Sequence, residues 1–461
     1  MDDSPFILEH EMTTPKPNRR NFMSTSASLA AAGTLGSSLL PKPAFGYHNN
    51  VDDTLKIGLV GCGGRGTGAV LNALNADSNS KVTALADAFQ DRIDSCAKSL
   101  SKELSTTDDN GKQIPSERMA VDRDHMFTGF DCHEKICQTD IDVVLLATPP
   151  HFRPAQLKAA VAAGKHVFCE KPVGVDVPGV KSVMESCKAA EAKGLSVVSG
   201  LCWRYDLGVN EMINRIKDGA IGEIRMIQEN YLTGTLWHRG EGTFDDKTHR
   251  KTLWSPMEYQ LRNWLYYNWL SGDHIAEQHI HSLDKSLWLM NDVPPVSCYG
   301  SGGRLVRTNK KYGNVYDHFS TVFEWADSDV KTFSACRQMA GCFNDVDDHI
   351  VGTKGTAKII GWEIKNEDGK QSFKKEQKGK PSMYDVEHQH LFRSIRNGET
   401  INNGTYMSYS TLMAIMGREA CYTCKRITWD ELMKDETRLG PEKYEWGDYE
   451  PAPIAKPGGE W

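Results

Sequence analysis

A short β-rich run, Leu55-Lys56-Ile57-Gly58-Leu59-Val60, passes directly into Gly61-Cys62-Gly63-Gly64-Arg65-Gly66. Thr67 to Ala76 then reads as a helix carrying apolar Val70, Leu71 and Leu74, and Val82 to Ala86 as a strand ending in Asp87. A glycine motif alone constrains little. Strand, glycines, helix, strand and a terminal acid about 20 residues on together constrain the fold strongly, because each glycine has a separate job. Gly61 permits the tight turn, Gly63 lets backbone approach a pyrophosphate, and Gly66 allows close helix–strand packing. The phosphates would rest on the helix N-terminus, where free amides and the dipole favour anions. Asp87 would accept from the adenosine ribose hydroxyls and repel a 2′-phosphate, favouring NAD over NADP.

The alternation continues. Ile141 to Ala147 is a near-continuous apolar strand of the kind buried on both faces, ending in Thr148-Pro149-Pro150-His151. Thr148, Pro149 and His151 therefore fall at the carboxyl edge of a parallel sheet, where such folds meet their ligands. A helix Pro154 to Ala163 stops at Gly164. A strand His166 to Cys169 leads into Glu170-Lys171-Pro172, and a helix Pro178 to Lys193 and a strand Ser196 to Ser199 complete a doubly wound sheet. Lys171, at a strand end before Pro172, is placed to donate to a substrate oxygen.

After Cys202 the pattern changes. A helix Val209 to Lys217 precedes alternating runs at Glu223–Gln228, Phe319–Trp325, Thr332–Arg337, His349–Val351 and Ala357–Ile360. They predict an α+β domain with a large, mostly antiparallel open sheet. Residues 361–382 read as a solvated loop or edge hairpin. The expected division is a leader at 1–46, a nucleotide-binding domain at 47–202, a second domain at 203–440 and a tail at 441–461.

The most informative stretch of the second half is Ser271 to Asp284. As one helix it puts Asp273, Glu277, His281 and Asp284 on a single face, beside an apolar stripe of Ile280, Leu283 and Leu287. Carboxylates one turn either side of a histidine can hold its tautomer and tune it for acid–base work. A metal site at Glu277, His279 and His281 is the weaker alternative, since His279 and His281 point to different helix faces. No metal is expected.

The formal charge of −7 lacks the basic footprint that nucleic-acid binding needs. The 12 cysteines form no paired zinc spacing, and Cys421 and Cys424 read as buried helix residues. Near the start, Arg19-Arg20-Asn21-Phe22 precedes a soft apolar segment, Ser24 to Leu40, and Ala44-Phe45-Gly46. This resembles a twin-arginine export signal and predicts a periplasmic or otherwise exported protein with no membrane span once processed.

The glycine loop, Asp87, Thr148-Pro149 and above all Ala162-Ala163-Gly164-Lys165-His166-Val167-Phe168-Cys169-Glu170-Lys171-Pro172 resemble the glucose–fructose oxidoreductase / inositol dehydrogenase / rhizopine-catabolism family. The resemblance covers nearly all the chain after residue 52. It implies a Rossmann domain in which Gly61, Cys62, Gly63, Gly64, Arg65, Gly66, Asp87, Thr148, Pro149, His151, Glu170 and Lys171 bind the cofactor. It further implies a sheet face that builds homodimers or homotetramers. It places a histidine over the nicotinamide with the Glu-Lys-Pro lysine. His281 and Asp284 match that histidine and its following acid, Glu277 stands for an aspartate, and His279 for a glycine. Catalysis is thus expected from Lys171, His281, Glu277 and Asp284. The expected activity is NAD-dependent oxidation of a sugar, sugar derivative or cyclitol, with a tightly held cofactor recycled in place. Glycoside cleavage by transient oxidation and elimination is the second reading, and a non-catalytic sugar-binding protein the third. Six of the 11 tryptophans lie between Trp203 and Trp288, and most are expected to pack in the core or an interface.

Overall fold

The computed structural model describes residues 53–458, apart from 109–110, 112, 246–249, 327 and 375–380. The export signal read at 1–46 lies outside the described residues.

Six strands form the first sheet: β1 (Leu55–Val60), β2 (Ser80–Asp87), β3 (Met126–Thr128), β4 (Val143–Leu146), β5 (His166–Cys169) and β6 (Val197–Ser199). All pair in parallel, in the order β3-β2-β1-β4-β5-β6. Every residue of β4 is buried, as its unbroken Val-Val-Leu-Leu run requires when helices cover both faces. Helices α1 (Gly64–Ala76) and α2 (Gln90–Leu104) cover one face. The other carries α3 (Cys132–Cys137), α4 (Arg153–Ala162) and α5 (Val177–Ala192). The strand order reverses beside β1, the topological switch where such sheets open a crevice at their carboxyl edge.

The second lobe begins with α6 (Leu207–Lys217) and β7 (Ile224–Thr233). A hairpin of β8 (Gly242–Asp245) and β9 (Arg250–Leu253) follows, then α7 (Pro256–Arg262), α8 (Asn268–Ser271), α9 (His274–Glu277) and α10 (Ile280–Leu289). The sheet is completed by β10 (Ser297–Gly303), β11 (His318–Glu324), β12 (Lys331–Gln338), β13 (Asp345–Gly352), β14 (Gly355–Lys358), β15 (Glu363–Asn366), β16 (Gln371–Lys374) and β17 (Ile427–Thr428). Its nine strands run β16-β15-β14-β13-β7-β12-β11-β10-β17, antiparallel except at β7–β12. On β11, Phe319, Thr321 and Phe323 alternate inward, so one face is buried and the other open. The 361–382 segment is an edge hairpin where it is described. This is the expected architecture: a parallel doubly wound sheet followed by a larger, mostly antiparallel one.

Two helices of the last third have no counterpart in the periodicity reading. In α11 (Met383–Asn397), Val386, Leu391, Phe392 and Ile395 join the core under α1, so the chain returns to the first lobe. In α12 (Gly404–Thr423), apolar residues are buried nearly all round against the second sheet. Cys421 is buried there, but Cys424 caps the helix in a left-handed conformation and is exposed.

Candidate active site

The carboxyl edge of the first sheet opens into a cavity of about 310 Å³ lined by Gly61, Gly63, Gly64, Arg65, Asp87, Thr148 and Pro149. The loop geometry matches the glycine assignments. Gly61 has φ +103°, and a Cβ there would stand 2.6 Å from the Ala147 carbonyl carbon. A Cβ on Gly66 would stand 1.9 Å from the Gly61 carbonyl oxygen. A Cβ on Gly63 or Gly64 would meet nothing within 4 Å, because both face the open cavity. That is the cradle a pyrophosphate needs: closed behind, bare in front.

Asp87 Oδ2 accepts from the Cys62 amide at 2.7 Å, and its Oδ1 from the Phe89 amide at 3.0 Å. Burial pushes this carboxyl up from its ordinary pKa, against the two amides that stabilise its charge. Cys62 acts through its backbone, its thiol lying buried against the Ala86 carbonyl. The cavity wall also holds residues without a motif: Phe89, Arg92, Phe130 and Phe152 from the first lobe, and Trp237, Arg239, Arg262 and Trp264 from the second. Nothing local marks them. They converge because loops after the first-lobe strands meet the segment around α7.

Two expected cofactor contacts are engaged elsewhere. The Glu170 carboxylate holds Arg65 Nε, while Arg65 Nη2 reaches the buried Glu387 of α11 at 2.6 Å. Glu170 thus braces the glycine loop and does not line the cavity. His151 Nε2 lies 2.7 Å from the Tyr444 hydroxyl, and burial pushes its pKa down to about 4. Thr148 lines the cavity, with its hydroxyl donating to Gln156 at 2.7 Å.

The 271–284 segment departs most from expectation. It is not one helix: α9 ends at Glu277, α10 starts at Ile280, and Asp273 has φ +67°. The buried Asp273 carboxylate caps α9 and accepts from the Tyr316 amide at 2.8 Å and the Tyr422 hydroxyl at 2.6 Å. Asp284 is also buried and accepts from Arg204 Nε at 2.9 Å and from the Ser410 hydroxyl at 2.7 Å. Neither acid orients His281, and the single polar face does not exist.

The lysine, one glutamate and the histidine do come together. Lys171 Nζ donates to the Glu277 backbone carbonyl and lies 3.2 Å from Glu277 Oε1. Glu277 therefore holds the lysine, not the imidazole. Among the described residues His281 Nδ1 is buried without a partner. Burial first, then the Lys171 and Lys285 cations, hold the His281 pKa far below the ordinary histidine value. A neutral imidazole beside an ammonium can relay a proton without adding a second charge. His279 is fully buried with Nε2 against the Ser334 hydroxyl, while the Glu277 carboxylate is turned to Lys171, so the donors of the alternative metal reading are drawn apart.

Beneath His281 lies a charged layer that the sequence reading did not isolate. Lys285 Nζ donates to the His281 carbonyl at 2.8 Å and pairs with the buried Asp348 of β13 at 3.0 Å. Glu229 of β7 accepts from the Ser286 hydroxyl, and burial, then the Asp348 charge, push its pKa up to about 8. Of the tryptophans, Trp269 is core, whereas Trp237 and Trp264 line the cavity. No helix among the described residues is long and apolar enough to cross a membrane.

Residues 55–199 match the family model described as an oxidoreductase family with an NAD-binding Rossmann fold. Residues 209–358 match the GFO/IDH/MocA C-terminal domain. The chain is 27% identical over 221 residues to the 2,7-anhydro-N-acetylneuraminate hydratase of Escherichia coli, 48% of this chain and 51% of that protein. It is 24% identical over 242 residues to a glycosyl hydrolase family 109 protein of Shewanella amazonensis, 50% of this chain and 49% of the other. The match therefore spans about half the length of these curated relatives. In fold it is similar to scyllo-inositol dehydrogenase of Lactobacillus casei solved with NAD(H) and scyllo-inositol: TM-score 0.59, 20% identity, 82% of this chain and 99% of the other. With family models matched over more than half of its length, the chain belongs to the GFO/IDH/MocA family and carries its NAD-binding Rossmann domain.

Proposed function

We propose that this protein is an NAD-dependent oxidoreductase of a sugar, sugar derivative or cyclitol, with the cofactor held through successive turnovers. The observation that carries this reading is Lys171 gripped by Glu277 at the carboxyl edge of the sheet whose first loop leaves a bare cradle at Gly63 and Gly64, with the buried Nδ1 of His281 four residues beyond Glu277. Bound NAD would supply the hydride acceptor. Gly61 to Gly66 and Asp87 would hold its phosphates and ribose. The Lys171 ammonium would donate to the substrate oxygen, and the His281 ring would take or return its proton. Glu277 fixes Nζ by two contacts, lowering the entropy cost of placing the lysine. Asp284 and Glu170 act at one remove, through Arg204 and Arg65.

Glycoside cleavage by transient oxidation and elimination is the second reading, favoured by the glycosyl hydrolase relative. Both use the same proton-transfer pair. They part in one experiment: the protein is purified, its cofactor released by denaturation and identified, and cyclitols, sugars and aryl glycosides are added to the loaded protein. Net nicotinamide reduction supports the dehydrogenase. Aglycone release without net reduction supports cleavage. Absence of both with every ligand class, despite bound NAD, would support a sugar-binding role. Export by the twin-arginine route belongs to the same proposal, because an exported enzyme must regenerate its cofactor in place. Cell fractionation of wild type and an Arg19→Lys/Arg20→Lys variant tests it. A homodimer or homotetramer through the open face of the second sheet is tested by light scattering.

A further inference from the structure

The segment after Leu439 packs against Phe89 and Phe130, two wall residues of the cofactor crevice, and is fastened to both lobes. On the first-lobe side, the Leu439 amide donates to Asp176 at 2.9 Å, and the Tyr444 hydroxyl meets His151 at 2.7 Å. The Tyr444 ring stacks on Phe130 at 5.6 Å, and Trp446 sits 4.7 Å from Phe130 and 5.3 Å from Phe89. Phe89 and Phe130 are themselves walls of the cavity. On the second-lobe side, the Met257 amide donates to the Gly447 carbonyl at 3.0 Å and Gln260 to the Tyr449 carbonyl at 2.7 Å. Further on, the Tyr316 hydroxyl donates to the Ala455 carbonyl at 2.9 Å, and Ala455 is buried. A second tie crosses nearby: Arg262 of α7 pairs with Asp91 of α2 at 2.9 and 3.0 Å and covers the Phe89 ring at 4.0 Å.

We propose that residues 439–455 are a clasp that controls cofactor exchange. They close the two lobes over the adenosine end of the crevice, so that NAD(H) leaves only when Tyr444 and Trp446 lift from Phe130 and Phe89. The inference rests on the crevice being the NAD site. A ligand enclosed between two lobes leaves through an opening motion, and contacts present only in the closed state slow that motion. Several aromatic contacts, each of modest strength, are broken together when this clasp opens. The clasp gives a structural means of keeping the cofactor through turnover, which a recycling enzyme needs.

The test uses full-length protein loaded with NADH and chased with excess ADP-ribose, following nicotinamide fluorescence in a stopped-flow instrument. Tyr444→Ala/Trp446→Ala should release NADH about tenfold or more faster than wild type. Trp446→Phe, which keeps a ring against Phe130, should restore most of the slow release. Trp446 is 48% exposed and Tyr444 40%, so truncation opens no buried hole. Thermal unfolding of the cofactor-free variants should remain a single cooperative transition, lowered only by the lost ring contacts and the Tyr444–His151 hydrogen bond. If the double variant aggregates, Trp446→Leu alone carries the same measurement. Release within twofold of wild type in the variants, or wild-type release complete within the mixing time, overturns the clasp. A wild type that binds no NADH overturns the assignment of the crevice itself, which is a separate and recognisable failure.

Discussion

The glycine loop and the Lys171 that the His281 segment holds both stand at the carboxyl edge of the first sheet, yet their surroundings are built in opposite ways. From Gly61 to Gly66 the loop's conformation and its task come from the same residues: φ +103° at Gly61, a 1.9 Å exclusion at Gly66, open space at Gly63. The turn at Gly61 and the exclusion at Gly66 are set by backbone within a few positions, and the Ala147 backbone closes behind Gly61. Around His281 the neighbours that decide function arrive from elsewhere in the chain. Lys171 comes from a strand end 106 positions away and takes Glu277, Arg204 and Ser410 take Asp284, and Tyr316 and Tyr422 take Asp273. Spacing on a helix says which carboxylates can reach a histidine. Competition for those carboxylates is settled only by the packed chain.

The widest break of that comparison is at the proton-transfer pair. Lys171→Ala and His281→Ala should each lower turnover by about 10²- to 10⁴-fold with NAD still bound, and the double variant should be little worse than either, as for groups acting as a unit. Steady-state kinetics with cofactor quantified in each variant checks this. Losses that multiply cleanly would show two independent roles.

Asp284→Ala separates positioning from chemistry. It strands the Arg204 guanidinium, which among the described residues keeps the partly exposed Asp292 as its one remaining carboxylate. Loss of one partner of a buried pair costs about 3–5 kcal/mol, visible as a lower denaturation midpoint. The pH–rate profile of the surviving protein should keep its wild-type shape. A shifted profile would return Asp284 to the imidazole.

Gly63→Val sharpens the other side. With nothing within 4 Å of a Cβ there, the variant should fold with wild-type stability. Its side chain would occupy the phosphate cradle and weaken NAD by about 10²-fold, measured by calorimetric titration. Gly66→Val, directed into the Gly61 carbonyl, should instead lose stability. Equal behaviour of the two would show that the cradle is misassigned. Asp87→Ala should narrow the preference for NAD over NADP by about tenfold, since one charge-assisted contact is lost. Wild type that binds NADP as tightly as NAD contradicts that role.

The smallest effect is on stability against pH. Glu229 has its folded pKa raised to about 8. Its contribution is complete below the ordinary carboxylate pKa and is lost as pH rises through about 8. His151 and His279 are pushed down by burial to about 4 and about 3, and His281 is also depressed. Their contribution is present above the ordinary histidine pKa and is lost as pH falls from there toward those values. The two contributions therefore oppose each other below the ordinary histidine pKa, and between there and about 8 the Glu229 contribution alone declines. Glu229→Gln should remove a loss of about 1 kcal/mol per pH unit between about pH 5 and about pH 8, read from the melting temperature across that range, and leave the profile above about pH 8 unchanged. A decline between neutrality and about pH 8 that persists in this variant would assign it to another group.

Some of the site was written in short-range terms. The strand that carries Lys171, the cradle at Gly63 and Gly64, and Asp87 at the end of β2 all follow from local pattern and turn geometry. The cavity wall from α7, the return of α11 beneath α1 and the fastening of residues 439–455 carry no local signal. Their residues are ordinary aromatics and arginines until the two lobes close around them. Glu170 illustrates the boundary. Its position before Lys171 is legible in the chain, yet its partner Arg65 is chosen by tertiary approach.

The amino-acid sequence by itself determined the doubly wound sheet, the alternating second sheet and the positions of Lys171, His281 and the nucleotide loop. Those depend on periodicity and on backbone freedom, which act within a few residues. Only the tertiary structure decided what each acid does: Glu277 on Lys171, Asp284 on Arg204, Asp273 at a helix cap, Glu170 on Arg65. A buried carboxylate must find a donor to offset its desolvation, and in a packed core the nearest donor belongs to whichever segment folding brings there.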